Sequence, residues 1–130
     1  MVLDTSAIVA ILLNEPERER FIRLIEAAPV RRLSAASRAE ATLVIEGRKR
    51  DAGRADLDLF LHEAEVEIVP VTLEQADFAC QAFRRYGRGR HSAGLNFGDV
   101  FAYALAKVTG EPLLFKGDDF AGTDIPSAAA

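Results

Sequence analysis

Apolar residues follow two different spacings along the chain, which predicts short strands separated by longer helices. Short apolar runs bounded by turn residues are typical of buried strands, and they occur at residues 2–3, 32–35, 67–71 and 113–115. Between them, apolar residues recur every three or four positions, the spacing of one helix face. These helical segments cover residues 5–13, 16–28, 37–50, 54–65, 72–86 and 94–107. The alternation predicts a three-layer α/β/α fold with a short central, mainly parallel sheet.

Individual residues predict further features of this fold. The run Asp51-Ala52-Gly53 is expected to break the helical pattern between residues 50 and 54. Pro70 lies within the 67–71 run, so this strand is expected at an edge or an end of the sheet. Residues 126–130 are expected to be frayed. The length corresponds to a single domain, residues 1–130.

Cysteine usage and hydropathy indicate the compartment. Cys80 is the only cysteine, which excludes an internal disulfide and is typical of a reducing, cytoplasmic environment. It shares an apolar stripe with Leu73, Ala76 and Phe83, so we expect a packed core thiol. No apolar run is long enough to cross a bilayer, and the first residues do not resemble a secretory signal. We therefore expect no membrane partner.

Acidic residues occur at four equivalent places in the predicted fold. Asp4 follows the first strand, and Glu40 lies one turn into the helix after the second strand. Asp99 lies in the first turn of a helix that is apolar on every side, and Asp118-Asp119 follow the last strand. In open parallel sheets, the carboxyl ends of the strands line one crevice where ligands bind. The four acidic positions are therefore expected to converge at this edge.

Each acid also has a purely structural interpretation. Ser37 and Glu40 match a capping box, and Asn96 with Asp99 forms a similar cap in which the helix dipole favours the negative charge. Asp4 is able to cap its own helix, and Asp118-Asp119 fits a surface turn. Capping, however, does not require all the acids at one edge of the sheet.

Carboxylates that converge repel one another, so their clustering favours a bound cation. Without a cation, the pKa of at least one of them would rise. Carboxylate oxygens suit Mg²⁺ or Mn²⁺, which keep several waters and reach substrate phosphates. No Cys/His set has zinc spacing, because the two histidines, His62 and His91, stand far apart. The sequence therefore predicts a Mg²⁺ site that also accepts Mn²⁺.

The motifs resemble those of PIN-domain proteins, and specifically the VapC toxins of bacterial toxin–antitoxin pairs. The resemblance is carried by V-L-D-T-S-A at the start, S-x-x-E-A at 37–41, L-N-F-G-D-V-F-A-Y-A-L-A-K at 95–107 and P-L-L-F-K-G-D-D-F near the end. It covers nearly the whole chain in spacing as well as in motifs. It implies a Mg²⁺-dependent endoribonuclease that cleaves RNA by attack of water and leaves a 5′-phosphate.

The resemblance also implies roles for individual residues. Asp4 and Asp99 match the metal ligands of the family, and Glu40 matches its third acid. Many members have an Asp where this chain has Gly117, so Asp118 or Asp119 is expected as the fourth acid, with Asp118 preferred. The remaining matches are small polar groups expected to orient the carboxylates and a bound water: Thr5, Ser6 and Asn96.

An acidic pocket repels RNA, so basic residues are expected to guide the strand. The cations that lead into the helix at 94–107 are Arg84, Arg85, Arg88, Arg90 and His91. Arginine suits phosphate because its planar fork bonds two oxygens at once. These residues also fit a solvated helix end, where cations are favoured. We interpret them as RNA contacts.

The resemblance implies two protein partners: a second copy, giving a homodimer, and a short VapB-like antitoxin. The exposed apolar faces of S-A-I-V-A-I-L-L at 6–13 and A-T-L-V-I-E-G at 41–47 are the expected antitoxin surface.

Three alternative functions stay open: a receiver-like phospho-acceptor domain, which Lys116 would fit, a phosphatase with Asp4 as nucleophile, and an inactive PIN binding module. The first two usually need a second acid near Asp4, where this chain has Thr5-Ser6.

Overall fold

The computed structural model describes all 130 residues and contains four strands and five helices. Short strands and longer helices alternate over most of the chain, as the hydrophobic pattern predicts. In chain order the elements are β1 Val2–Leu3, α1 Thr5–Leu12, α2 Arg18–Ala27, β2 Arg32–Ser34, α3 Ala35–Glu63, β3 Glu67–Val69, α4 Leu73–Tyr86, α5 Phe97–Thr109 and β4 Leu113–Leu114.

The four strands form one sheet in the order β3-β2-β1-β4, and every pair is parallel. Val2 of β1 is in register with Arg32 of β2 on one side and with Leu113 of β4 on the other. The prediction of a short parallel sheet is confirmed. β3 is an edge strand and Pro70 follows it directly, where the missing N–H removes no ladder bond.

Successive residues of the short central strands point to opposite faces of the sheet, so they pack in two separate cores. Val2 and Leu113 pack in one core with α4 and α5. Leu3 and Leu114 pack in the other with α1, α2 and the second half of α3. The helices therefore cover both faces, which confirms the three-layer α/β/α prediction.

Helix α3 is kinked where the sequence predicts a break. Arg50 has a φ of 57° and a ψ of −141°, outside the helical region, one residue before the predicted break at 51–53. Gly53 is required just after the kink, because a Cβ there would lie 2.8 Å from Cγ2 of Ile45 and 2.7 Å from Cβ of Lys49. The kink redirects the second half of α3 so that Leu57 and Leu61 enter the core on the α1 side.

Helix α4 packs through a different stripe from the predicted one. The buried residues are Gln75, Ala79, Ala82 and Tyr86, which lie against α5. The predicted inward stripe faces solvent, and Cys80 on it is exposed, so the expectation of a packed core thiol is wrong. Helical periodicity identifies apolar stripes, but small alanines on the other face allow the closer approach to α5.

The C-terminal residues are tied to the sheet. The Leu113 amide donates to the carbonyl of Pro126 at 2.9 Å, and the Ala128 amide donates to the carbonyl of Leu113 at 2.9 Å. Ala128 and Ala129 also pack against the core on the α1 side. The expected fraying of residues 126–130 is therefore wrong, because Leu113 supplies a partner strand. None of the helices combines the length and the apolar character that crossing a membrane requires.

Candidate active site

Asp4 lies at the carboxyl end of β1, where it is the N-cap of α1. Its Oδ2 accepts hydrogen bonds from the Ser6 amide at 3.0 Å and the Ser6 hydroxyl at 2.6 Å. The side chain is 3% exposed, and its Oδ1 is buried without a hydrogen-bond partner. Burial raises the pKa of Asp4 to about 7, against the lowering effect of the Ser6 bonds, and the nearby charges of Asp99 and Glu40 raise it further.

Ser6 connects the residues that follow β1 with those that follow β4. Its hydroxyl donates to Asp4 and accepts from the Lys116 amide at 2.9 Å, just after β4. The Asp4 amide donates to the carbonyl of Leu114 at 2.9 Å. Ser6 thus orients the Asp4 carboxylate, in the way that the resemblance implies for it.

Thr5 has a different contact from the expected one. Its hydroxyl donates to the backbone carbonyl of Ser37 at 3.2 Å and bonds no carboxylate. This bond joins the start of α1 to the first turn of α3. Thr5 therefore positions α3, and with it Glu40 one turn further along, and does not orient a carboxylate directly.

Glu40 does not cap its helix. The N-cap of α3 is Ser34, whose hydroxyl accepts from the Ala36 amide at 3.2 Å, and Ser37 is buried inside the helix. The capping box predicted for Ser37 and Glu40 is therefore wrong, because the helix begins at Ala35. Glu40 instead reaches the start of α5, where a Cβ on Gly98 would overlap its carboxylate.

Gly98 is a site residue that the sequence analysis misses. The absence of a side chain at position 98 lets the Glu40 carboxylate lie against the α5 backbone, one residue before Asp99. The signal that would identify it is its position directly before an acid in the first turn of a helix. A larger residue there would displace Glu40.

Asp99 has both roles that the sequence analysis considers, a helix cap and a member of the acidic group. Its Oδ2 accepts from the Asn96 amide at 3.0 Å, and its amide donates to the Asn96 side chain at 3.0 Å, which completes a capping box. Burial raises the pKa of Asp99 to about 6, and the neighbouring Asp119 and Glu40 raise it further. The bond from Asn96 fixes one oxygen and leaves the other for a ligand.

The acid that lies beside Asp99 after β4 is Asp119. The two carboxyl groups are close enough to share a hydrogen bond. Asp118 and Asp119 are both exposed, and Asp118 is not among the groups that act on Asp99. The role of Asp118 as the fourth acid stays a prediction, and the proximity to Asp99 favours Asp119. Gly117, with a φ of 95°, turns the chain just before the pair.

No cation compensates this group of acids. None of the salt bridges in the structure involves Asp4, Glu40, Asp99 or Asp119. Lys116, which follows the last strand, is paired elsewhere, with Glu15 at 3.0 Å and Glu17 at 3.3 Å. A receiver-like role for Lys116 therefore gains no support.

The basic segment forms the end of α4 and the loop before α5, and its side chains are exposed. Arg85 lies 3.8 Å from Asp124 and 4.9 Å from the centre of the Tyr86 ring. Arg90 lies 5.7 Å from the centre of the Phe83 ring. His91 accepts from the Ala93 amide at 2.9 Å and meets the Tyr86 ring edge-on. The other two cations, Arg84 and Arg88, make no salt bridge.

The donor set fits a hard divalent cation that retains most of its water. No group of three or more His, Cys, Asp or Glu side chains is arranged to hold a metal ion by itself. Mg²⁺ does not require one, since one or two carboxylates with waters and substrate phosphate commonly hold it. The unpartnered Oδ1 of Asp4 and the free oxygen of Asp99 supply such ligands. A buried carboxylate oxygen without a donor is costly, and a cation would remove that cost.

The whole-chain comparison decides the family. The family model for the PIN domain matches residues 1–126. The chain belongs to the PIN-domain family. Among its relatives, ribonuclease VapC30 of Mycobacterium tuberculosis is 55% identical over 129 residues, which cover 99% of this chain and 98% of that protein. Ribonuclease VapC of Mycolicibacterium smegmatis is 55% identical over 125 residues, covering 96% and 97% of the two chains.

Solved structures share the fold of this PIN domain. The crystal structure of VapC20 of Mycobacterium tuberculosis, a sarcin-ricin loop cleaving toxin, superposes with a TM-score of 0.78 at 18% identity and covers 95% of each chain. VapBC2 from Rickettsia felis, bound to a DNA fragment from its promoter, gives a TM-score of 0.74 at 15% identity and covers 96% of this chain and 92% of that one. The architecture thus persists at low identity.

The raised pKa of Asp4 makes the stability of the metal-free PIN domain depend on pH. The folded-state pKa of about 7 exceeds the ordinary value of 3.8, so the folded state holds the proton more tightly. The stabilisation is therefore complete below pH 4 and is lost as pH rises to about 7. Asp4→Asn cannot ionise at this position. We therefore expect its free energy of unfolding to increase by roughly 3–4 kcal/mol relative to that of wild type between pH 4 and pH 8 in EDTA.

Urea unfolding across this pH range measures the difference. Asp51→Asn is the control, because it removes one negative charge at an exposed position. A constant difference between Asp4→Asn and wild type from pH 4 to pH 8 would contradict the proposed burial of an uncompensated carboxylate. Mg²⁺ added at pH 8 should stabilise wild type more than Asp4→Asn.

Proposed function

We propose that this PIN domain is a Mg²⁺-dependent endoribonuclease, with Mn²⁺ as a substitute ion, that acts as the toxin of a toxin–antitoxin pair. The observation that carries the proposal is the group of four acids without a compensating base at the carboxyl edge of the parallel sheet. RNA as substrate is supported by the names of the relatives, which are ribonucleases at 55% identity over almost the full chain.

Asp4 and Asp99 are the proposed metal ligands, each through the oxygen that its hydrogen bonds leave free. Bound there, a divalent ion would lower the pKa of a coordinated water and neutralise charge on the phosphate. Ser6 and Asn96 hold the two carboxylates in orientation before any ligand arrives. This preorganisation avoids rearrangement during the reaction.

Glu40 and Asp119 complete the acidic group and are proposed to handle protons and outer waters. Glu40 lies on the α5 backbone at Gly98, and Asp119 lies beside Asp99. A carboxylate next to a reacting water accepts its proton. Attack of water in line with the scissile bond would leave a 5′-phosphate and a 3′-hydroxyl.

Cleavage of RNA by substituted variants tests the proposal. We expect wild type to cleave RNA with Mg²⁺ or Mn²⁺ and not in EDTA, and Asp99→Asn to lose roughly 100-fold or more of the rate, because it keeps the cap but loses the charge. Asp119→Asn should also impair cleavage, whereas its neighbour Asp118→Asn, the matched control, should not. Gel analysis of labelled RNA gives the rates and the end chemistry. Equal activity of wild type and Asp99→Asn would end the proposal.

The basic segment is proposed to bind the RNA backbone on the way to the acids. We expect the double variant Arg88→Gln, Arg90→Gln to weaken RNA binding and to reduce the slope of log affinity against log salt by up to about 1.4, since each single-strand phosphate contact contributes about 0.7. The control is Arg23→Gln, Arg48→Gln, at two exposed arginines elsewhere. Fluorescence anisotropy at several salt concentrations gives the slope. Identical slopes for the two double variants would remove this role.

A VapB-like antitoxin is proposed to bind the groove between α1, α2 and the second half of α3. The groove has a volume of about 650 Å³ and an apolar floor that includes Ile11, Ile22 and Phe60, with Arg18 and Lys49 among the cations at its sides. An amphipathic helix fits such a groove. Leu43 and Val44 of the 41–47 segment are exposed but do not line it. Structural neighbours that are toxin–antitoxin complexes support a partner of this kind.

Copurification tests the antitoxin proposal. We expect the gene adjacent to this one to encode a small DNA-binding protein that copurifies with wild type and stops RNA cleavage. Leu59→Asp, in the half-exposed wall of the groove, should lose the complex and keep the cleavage activity. A variant that still binds the neighbouring protein would place the contact elsewhere.

A second copy of the chain is the partner proposed for the exposed stripe of α4, which we call the α4 stripe: Leu73, Ala76, Cys80 and Phe83. Two of its large side chains, Leu73 and Phe83, are exposed in the single chain. An apolar stripe that self-associates would bury these side chains in a symmetric contact. Light scattering of wild type and Leu73→Ala reports the oligomeric state.

A further inference from the structure

Phe97 is the exception on an otherwise buried helix. It is the first residue of α5 and is 79% exposed, whereas most of the residues from Asp99 to Ala106 are buried. On the helix Phe97 shares one apolar stripe with Val100 and Phe101, but unlike Val100 it is not buried. Exposure of a large aromatic ring to water is unfavourable, so its position at the start of the helix needs a physical explanation.

Phe97 lies between two backbone positions that border the acidic site. Asn96, which caps α5, precedes Phe97, and Gly98, on which the Glu40 carboxylate rests, follows it. Side chains of the first helical turn lean toward the helix N-terminus, here toward the crevice that holds the acids. Phe97 is therefore a neutral, apolar neighbour of a negatively charged pocket.

Phe101 supports the ring without covering it. The two rings meet at an interplanar angle of 83° with centroids 5.0 Å apart. In an edge-to-face pair, at most one face of either ring is used. At least one face of Phe97 is therefore free of Phe101 and open to a planar ligand.

We propose that Phe97 is a stacking platform for an unpaired RNA base next to the phosphate that is cut. The inference rests on the proposed ribonuclease function and adds a residue that positions the substrate. A base beside four acids cannot be held by a cation, because an Arg or Lys there would pair with the carboxylates. A neutral aromatic ring avoids this conflict, and every base has a π-face to stack on it.

The adjoining sequence supports RNA as the occupant. The Arg88 amide donates to the carbonyl of Leu95 at 2.9 Å, two residues before Phe97, so the segment with the exposed arginines lies beside the start of α5. Stacking does not depend on base identity and releases no counterions. Phe97 should therefore set how tightly the strand binds, whereas the arginines set its salt dependence.

Binding of a single-stranded oligoribonucleotide tests the platform. All proteins carry Asp99→Asn to prevent cleavage, and the probe is a fluorescein-labelled RNA of mixed sequence and about 12 nucleotides, within the usual range for such sites. We expect Phe97→Ala and Phe97→Leu to weaken binding roughly 5- to 150-fold with the salt slope unchanged. Phe97→Trp should bind as well as the parent, because indole stacks at least as well.

Leu43→Ala is the matched control, since Leu43 is 74% exposed and lies outside both the α4 stripe and the groove. It should leave RNA binding unchanged. The platform would be contradicted if Phe97→Ala or Phe97→Leu bound the RNA as tightly as the parent protein does. Loss of the dimer in Phe97→Ala by light scattering, together with the loss of RNA affinity, would make Phe97 a contact between copies and would overturn the platform.

The failure of this inference is distinguishable from that of the ribonuclease proposal. A parent protein that does not bind the probe overturns the platform, because a base stacks only where a strand binds. If the enzyme with Asp99 intact still cleaves RNA, the proposed function stands without Phe97. If it neither binds nor cleaves, both fall.

Discussion

Electrostatic repulsion among buried carboxylates is the constraint on which this structure depends. Asp4 and Asp99 are held by hydrogen bonds from neighbours, yet both pKa values are raised because burial and the nearby acids oppose ionisation. A fold that served stability alone would place a basic residue here. The protein has no salt bridge to any of the four acids, and Lys116 pairs with Glu15 and Glu17 instead. The raised pKa values therefore carry a cost in stability, which a bound cation would reduce.

The architecture brings the acids together through very short strands. The two residues of β1 pack in different cores, because Val2 faces one helical layer and Leu3 faces the other. The next residue, Asp4, emerges at the carboxyl edge, and the starts of α1, α3 and α5 bring their own polar groups to the same edge. Thr5 and Gly98 then set the distance of α3 from α1 and α5, and so they determine where Glu40 lies.

Much of this arrangement could be predicted from the sequence, because periodicity and strand–helix alternation determine layers and edges. The edge position of β3 followed from Pro70, and the break in α3 was located to within a residue. The side of a helix that packs could not be predicted when two stripes compete, as for Cys80 and Phe97. Which of Asp118 and Asp119 lies closer to Asp99 follows from the course of the backbone after Gly117, which the side-chain pattern does not reveal.

The hydroxyl of Ser6 links two regions that are 110 residues apart in the chain. This link is complete only when Lys116 has been synthesised, and Asp119 follows it in the chain. A chain that is still emerging from the ribosome therefore lacks the closed acidic group, however well its first helices have folded. An enzyme directed against RNA would in this way remain inert beside the RNA-rich machine that makes it until translation of its last segment.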